Sequence, residues 1–307
     1  MNKNFLSFPL KENTRLHFVG IGGVSMSSLA LLAKKSGCRV SGSDRGENDL
    51  VRFCRSEGIE VQLGHEPKAC LDADAVIYTA AVSQKLPELA AAKRAGIPLI
   101  GRAEFLGALM TEYKTRIGIC GTHGKTTTTA MTGKILEDAG IDPTVAGGAV
   151  LPGCRSALRA GKRDALVYEA CEYKRSFLSF SPTISVITNI ELDHTDCYSS
   201  IEEIKEAFTQ AVLCANTVIV NRDDKNALET AENAQRRSGS RLISFSLSGC
   251  GSGAEFYAEE LTFRNGKARF YACRNGKRLS YIELPVIGRF NAYNAMAAFC
   301  TAVTAGV

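Results

Sequence analysis

One stretch limits what this chain can fold into more than any other: Gly121-Thr122-His123-Gly124-Lys125-Thr126-Thr127-Thr128. It follows an apolar run, Arg116 to Cys120, that reads as a strand. It precedes a segment of helical spacing that reaches about Asp138 and is closed by Gly140. Consecutive N–H groups in such a loop, at a helix N-terminus, point at phosphate oxygens and favour negative charge. Lys125 is placed to neutralise a transferring phosphate, and the Thr126 hydroxyl to ligate Mg²⁺. The spacing departs from the common G-x-x-x-x-G-K-[ST], because Ile119 stands where the first glycine belongs. A Gly-Lys-Thr triplet arises often by chance, but one seated between strand and helix does not, so the loop reads as phosphate-binding rather than as a plain turn.

The segments around it alternate in the same way. Before it, Leu16 to Val19 is a strand, Gly20 to Gly23 a turn, Ser27 to Lys35 a helix and Cys38 to Ser41 a second strand. Further strands at Ala75 to Thr79 and Ile97 to Ile100 flank a helix at Pro87 to Arg94. Short strands alternating with helices imply a parallel sheet covered on its faces. A boundary falls near Met110 to Lys114, and a second α/β unit opens at Thr115 with later strands at Ala165, Ile184, Thr217 and Arg241. After Gly253 the pattern changes: Asn265-Gly266 and Asn275-Gly276 each sit between strand-like runs and signal antiparallel hairpins. A helix from Ala292 to about Thr304 follows.

A chain of 307 residues exceeds one ordinary core, in keeping with two domains. No window approaches the length of uncharged apolar sequence that a membrane-spanning helix needs. The N-terminus, MNKNFLSFPLKENTRLHF, lacks the apolar core and small-residue cleavage site of a secretory leader. The net charge of +5 is spread without a long basic run, which argues against a nucleic-acid surface. The eleven cysteines form no C-x-x-C pair and have only four histidines beside them, so they read as reduced thiols of a cytoplasmic protein rather than as a zinc site.

Two further constellations carry chemistry. Gly20-Ile21-Gly22-Gly23-Val24-Ser25-Met26 also follows a strand and opens a helix, and Asp44 ends the next strand, where a carboxylate can accept ribose hydroxyls. Ser25 replaces the third glycine of G-x-G-x-x-G, and the loop fits NAD, a nucleotide sugar or a tight turn. Glu169-Ala170-Cys171-Glu172 and Asn189-Ile190-Glu191-Leu192-Asp193-His194 follow two other strands, at the edge where α/β sheets bind ligands. Their carboxylates and imidazole can hold Mg²⁺ against nucleotide phosphates. Taken alone, Glu172 reads rather as a surface charge and His194 as a capping or core histidine; beside a phosphate loop the ligand reading prevails.

GIGGVSMSSLA with SGSD, then CGTHGKTTTT, EACEYKRSFL, TNIELDHTD, VNRDD and GRFNAYNAMAA, in that order over nearly the whole chain, resemble the Mur ligase family. The resemblance implies an α/β fold: a Rossmann-like parallel-sheet domain over residues 1–112 for a UDP-sugar, then a P-loop-type central ATPase domain over 113–307 with a C-terminal antiparallel hairpin region. It also implies a third, amino-acid-binding domain that this chain does not include, so that the chain is expected to bind substrate without full ligase activity. The implied reaction phosphorylates the lactyl carboxylate of UDP-N-acetylmuramate from ATP, with Mg²⁺ or Mn²⁺, and L-alanine attacks the acyl phosphate. By match of position, Lys125, Glu172 and His194 are catalytic, with Thr126, Glu172 and His194 toward the metal. ATP falls to Gly121, Thr122, His123, Gly124, Lys125, Thr126, Thr127, Asn291 and Asn294. The UDP-sugar falls to Gly20, Gly22, Gly23, Val24, Ser25, Met26, Asp44, Thr79 and His123. Phe290 stands where the family often has His, and Phe208 where several relatives carry a carbamylated lysine. A branch of the family that recycles a murein tripeptide shares the fold, but Ser176-Phe177-Leu178 directly after the acidic segment favours the alanine-adding branch. A nicotinamide dehydrogenase would leave Lys125, Thr126 and the acidic pair without a role, and a non-catalytic nucleotide-binding module is the remaining alternative.

Overall fold

The first strand, glycine turn and helix are β1 (Arg15–Val19), a loop over Gly20–Gly23, and α1 (Val24–Lys35). They begin a computed structural model that describes residues 11–79, 82–83, 85–154 and 156–307. The first ten residues, part of the stretch read above for a leader, lie outside it. The chain continues as β2 (Arg39–Asp44), α2 (Asp49–Ser56), β3 (Glu60–Leu63), β4 (Ala75–Tyr78), α3 (Pro87–Arg94), β5 (Leu99–Gly101) and α4 (Arg102–Met110). These strands form one sheet in the order β3-β2-β1-β4-β5, parallel throughout. The order reverses beside β1, so the glycine loop after it lies at the switch point where parallel sheets open a ligand crevice.

The next elements are β6 (Thr115–Cys120), α5 (Lys125–Asp138), β7 (Thr144–Ala146), the two-residue β8 (Leu158–Arg159), β9 (Ala165–Glu169) and a 3₁₀ segment (Tyr173–Ser179). They are followed by β10 (Ile184–Ile187), α6 (Ile201–Val212), β11 (Thr217–Asn221), α7 (Lys225–Ser238) and β12 (Arg241–Ser246). The chain then forms β13 (Phe256–Arg264), β14 (Lys267–Arg274), β15 (Lys277–Ile287) and α8 (Arg289–Thr304). The strands run in the order β15-β14-β13-β12-β11-β10-β6-β9-β7. Pairing is parallel up to the β12–β13 contact and antiparallel from β13 to β15. The two hairpin turns are the Asn-Gly pairs, with φ of 50° and 75° at Asn265 and Gly266 and 49° and 82° at Asn275 and Gly276. Both residues of each pair take the left-handed conformation that a two-residue hairpin turn needs.

The chain divides into two compact units: one runs to Glu112 and takes in Gly147–Ala160, and the other holds Tyr113–Ala146 and Gly161–Val307. In the second, Ile117, Ile119, Val186, Ile187, Val218, Ile219 and Val220 are buried as near-continuous apolar runs, because helices cover both faces of a parallel sheet. Helix α8 packs on α5 and is rich in buried small side chains, Ala292, Ala295 and Ala298 among them, and its Asn294 reaches the loop before α5. The eleven cysteines are free. Among the described residues no helix is long and apolar enough to cross a membrane.

Candidate functional site

Strand β6 lies between β9 and β10, so the loops leaving all three strands share the carboxyl edge of the sheet. The loop after β6 is held open by that neighbourhood. Asn189 accepts from the His123 N–H at 2.8 Å through its side-chain oxygen and donates to His123 O at 2.9 Å. Its own carbonyl takes the Thr122 N–H at 2.9 Å. Thr188 Oγ1 donates to His123 O at 2.8 Å, and Thr122 Oγ1 accepts from Glu191 N at 2.9 Å. Gly124 caps α5 with φ 83°, and a Cβ there would run into the Asn294 side chain, so glycine is required on two counts.

Lys125, the first residue of α5, points its ammonium back into the loop. Nζ donates to Gly121 O at 2.6 Å, Thr122 O at 3.0 Å and Glu172 Oε1 at 2.9 Å. The lysine side chain is 11% exposed and the glutamate 0%, so this pair is screened little by water. His194 Nε2 lies 3.5 Å from the same Oε1, with the imidazole ring 5.0 Å from the Tyr173 ring. Tyr198 OH donates to the Glu172 carbonyl at 2.7 Å, fixing the backbone that carries the carboxylate. Burial pushes the Tyr198 phenol up to about 12, so it remains a donor at neutral pH. Lys125, Glu172 and His194 are thus brought together. Thr126 Oγ1 instead donates to Glu169 Oε2 at 2.6 Å, which makes Glu169, the other carboxylate of the first acidic segment, a direct neighbour of the loop. Thr127 stands half-buried in the first turn of α5.

A cleft of about 500 Å³ opens beside the loop, lined by His123, Asn189, Glu191, Asp224, Phe290 and Asn294 among others. Asn294 accepts from Thr128 Oγ1 at 3.3 Å and donates to Asn291 Oδ1 at 3.1 Å, and Asn291 donates to Ile287 O at 2.8 Å. Asn294 therefore ties α8 to α5 at the cleft wall, Asn291 ties it back to the end of β15, and Phe290, 67% exposed, stands at the cleft mouth. Tyr293 was not anticipated. Its hydroxyl donates to Asp223 Oδ2 at 3.0 Å, and Asp223 also accepts from Ser246 Oγ at 2.6 Å and Leu247 N at 2.9 Å. Asp224 caps α7 through Ala227 N at 2.8 Å, and burial pushes its carboxyl above the usual range. Phe208 is fully buried against Phe177, ring to ring at 5.1 Å.

In the first unit, Gly22 N donates to Asp44 Oδ2 at 2.7 Å, while Gly20 N and Ile21 N both donate to Ser43 O, at 2.8 and 3.0 Å. A Cβ on Gly22 would come within 2.8 Å of Asp44 Oδ2 and 2.7 Å of the Asn48 amide. Gly23 precedes the helix, Val24, Ser25 and Met26 form its first turn, and Thr79 follows β4, with its methyl 3.3 Å from where a Cβ of Gly20 would sit. Asp44 thus holds the loop. His123 belongs to the other unit.

Whether a metal fits can be tested on Glu172. Its Oε2 is buried with no hydrogen-bond partner, which is costly for a carboxylate unless a cation answers it. The nearby hydroxyl and carboxylate oxygens suit a hard cation such as Mg²⁺. Among the described residues no three His, Cys, Asp or Glu side chains form a complete cage, so phosphate oxygens and water would have to supply the rest.

Two α/β units, one with a glycine loop at a switch point and one with a lysine-bearing glycine loop facing the buried Glu172, define an α/β protein of the P-loop type. The chain belongs to the Mur ligase family. Residues 119–302 match the Mur ligase middle domain and residues 15–114 match the Mur ligase family, catalytic domain. The chain is 41% identical to a UDP-N-acetylmuramate–L-alanine ligase of Clostridium novyi, with 100% of this chain and 65% of that protein aligned. It is also 41% identical to a protein of the same name from Caldicellulosiruptor saccharolyticus, over 95% of this chain and 64% of that one. It therefore spans a little under two thirds of the length of these relatives. Among solved structures, the UDP-N-acetylmuramate–alanine ligase of Thermotoga maritima superposes with a TM-score of 0.81 at 28% identity, covering 95% of this chain and 65% of that one. The UDP-N-acetylmuramate:L-alanyl-γ-D-glutamyl-meso-diaminopimelate ligase of Neisseria meningitidis gives 0.82 at 25% identity, covering 96% and 94%.

Proposed function

We propose that this chain carries the nucleotide and UDP-sugar sites of an ATP-dependent ligase that joins L-alanine to the lactyl carboxylate of UDP-N-acetylmuramate through an acyl phosphate, in the cytoplasm, as a step in peptidoglycan precursor synthesis. Residues 1–112 would take the UDP-sugar and residues 113–307 the ATP. The observation that carries this is the Lys125 ammonium, held by Gly121 O, Thr122 O and Glu172 at the N-terminus of α5. Phosphoryl transfer needs positioning and charge neutralisation more than a protein nucleophile, and a preset cation among loop amides supplies both. Asn294 and Phe290 line the cleft next to that loop, with Asn291 bonded to Asn294 behind it, where a base and ribose would extend from the phosphates. Thr126, Glu172 and His194 are the residues that would hold Mg²⁺ or Mn²⁺, which when bound neutralises charge on the phosphate oxygens. The Gly20 to Met26 loop, Asp44 and Thr79 would take the UDP-sugar. The names of the 41% identical relatives favour the alanine-adding reaction over tripeptide recycling.

The test is phosphate release from ATP measured with and without UDP-N-acetylmuramate, with L-alanine or the tripeptide as acceptor and with product masses recorded. Release that requires UDP-N-acetylmuramate is expected. Release indifferent to the UDP-sugar would refute the reaction, and a product formed only with the tripeptide would reassign the branch.

A further inference from the structure

The first unit buries a carboxylate that the proposed reaction does not use. Glu88, in the first turn of α3, is 0% exposed and accepts from three side chains on three other parts of the sheet. His17 of β1, itself 2% exposed, reaches Oε1 through Nε2 at 2.6 Å. Ser43 of β2 donates to Oε2 at 2.7 Å, and His65, just after β3, reaches the same oxygen through Nδ1 at 2.9 Å. An ionised carboxylate only accepts, so His17 donates to it through Nε2, while its Nδ1 pairs with the Ser41 hydroxyl at 2.9 Å. Among the described residues, the Cys70 thiol also packs on this cluster, donating to the Glu88 carbonyl at 3.4 Å.

Burying such a group costs free energy that apolar side chains of the same volume would avoid. What the cluster grips explains its presence. Ser43 is the residue whose carbonyl receives both the Gly20 and Ile21 amides, and Asp44, next to it, receives the Gly22 amide. On the far side, Gly64 N, adjacent to His65, donates to Asp44 O at 2.8 Å. Glu88 therefore holds the end of β2 through Ser43 and the turn after β3 through His65, and these two segments set the glycine loop.

We propose that Glu88 is a positioning residue for the first glycine loop: acting through Ser43 and His65, it fixes the carbonyl and carboxylate that hold the Gly20, Ile21 and Gly22 amides, and with them the shape of the loop that a diphosphate would meet. The ligand half of this statement rests on the UDP-sugar reading above; the loop half does not. The test compares the whole chain with Glu88→Gln and with the milder Ser43→Ala, which removes one bond to the carboxylate and leaves its charge and other partners. Amide exchange is followed residue by residue, and UDP-N-acetylmuramate and ATP are titrated separately. In both variants Gly20 and Ile21 should exchange faster, by about tenfold in Glu88→Gln, while Phe18 and Val19 inside β1 hold their protection. The UDP-sugar dissociation constant should rise by about tenfold in Glu88→Gln, a loss in the range of a buried charge-assisted hydrogen bond, and ATP affinity should not move. Unchanged loop exchange would overturn the proposal, as would acceleration spread evenly through the unit, which marks a merely structural role. If the unsubstituted chain fails to bind the UDP-sugar while its loop exchange responds as described, the ligand reading falls and the positioning role stands.

Discussion

Lys125 and Gly22 bear on different ligands, and single substitutions separate them. Lys125→Ala removes the cation aimed at the phosphate, and the loss in turnover should be on the order of 10³-fold. A variant that keeps a tenth of the original rate in a phosphate-release assay would rule out that role. Gly22→Val places carbon atoms where Asp44 and Asn48 now sit, so UDP-sugar binding should vanish while ATP binding persists. Glu88 adds a pH dependence. Burial alone would push its carboxyl up, but hydrogen bonds from His17 and Ser43 and the neighbouring imidazoles hold it below the usual range. A carboxyl lowered on folding stabilises the fold fully above the ordinary carboxylate range, and that contribution is lost as acid takes the pH down through the lowered folded value. Urea midpoints measured from neutral pH into acid should therefore fall less steeply for Glu88→Gln than for the unsubstituted protein; parallel curves would contradict this. The Lys125 loop was legible because its residues are contiguous. The Glu88 cluster was not, because His17 and Glu88 are 71 positions apart and only the parallel order of β1, β2 and β3 assembles them.

At the scale of elements, legibility followed burial. Strands β6, β10 and β11 stand out as apolar runs because both of their faces are covered, and α3 was read with the bounds it has. Helix α2 buries only Val51 and Cys54, and β3 only Val61, so neither writes a periodic signal strong enough to see. The hairpins were legible from turn chemistry alone, since Asn-Gly takes positive φ at little cost. Gly276→Val forces a β-branched residue to φ 82° and should destabilise the β14–β15 hairpin by about 1–2 kcal/mol, read as a lowered unfolding midpoint. An unchanged midpoint would mean that the hairpin unfolds independently of the measured transition. The tie between α5 and α8 was half-read: Asn291 and Asn294 were singled out, whereas Tyr293 and its bond to Asp223 depend on a loop 70 positions away.

For the whole molecule, the central claim is that two α/β units hold two different ligands by two different glycine loops. Both loops follow the strand beside which sheet order reverses, which is why strand–glycine–helix segments could be found in the sequence before any sheet order was known. The most direct measurement is calorimetric titration of the whole chain with ATP and Mg²⁺, with UDP-N-acetylmuramate and with NAD, repeated for Lys125→Ala and Gly22→Val. The account predicts one site each for ATP and the UDP-sugar and none for NAD, with Lys125→Ala losing the ATP signal alone and Gly22→Val the UDP-sugar signal alone. Saturable NAD binding abolished by Gly22→Val, or competition between ATP and the UDP-sugar for one site, would contradict it.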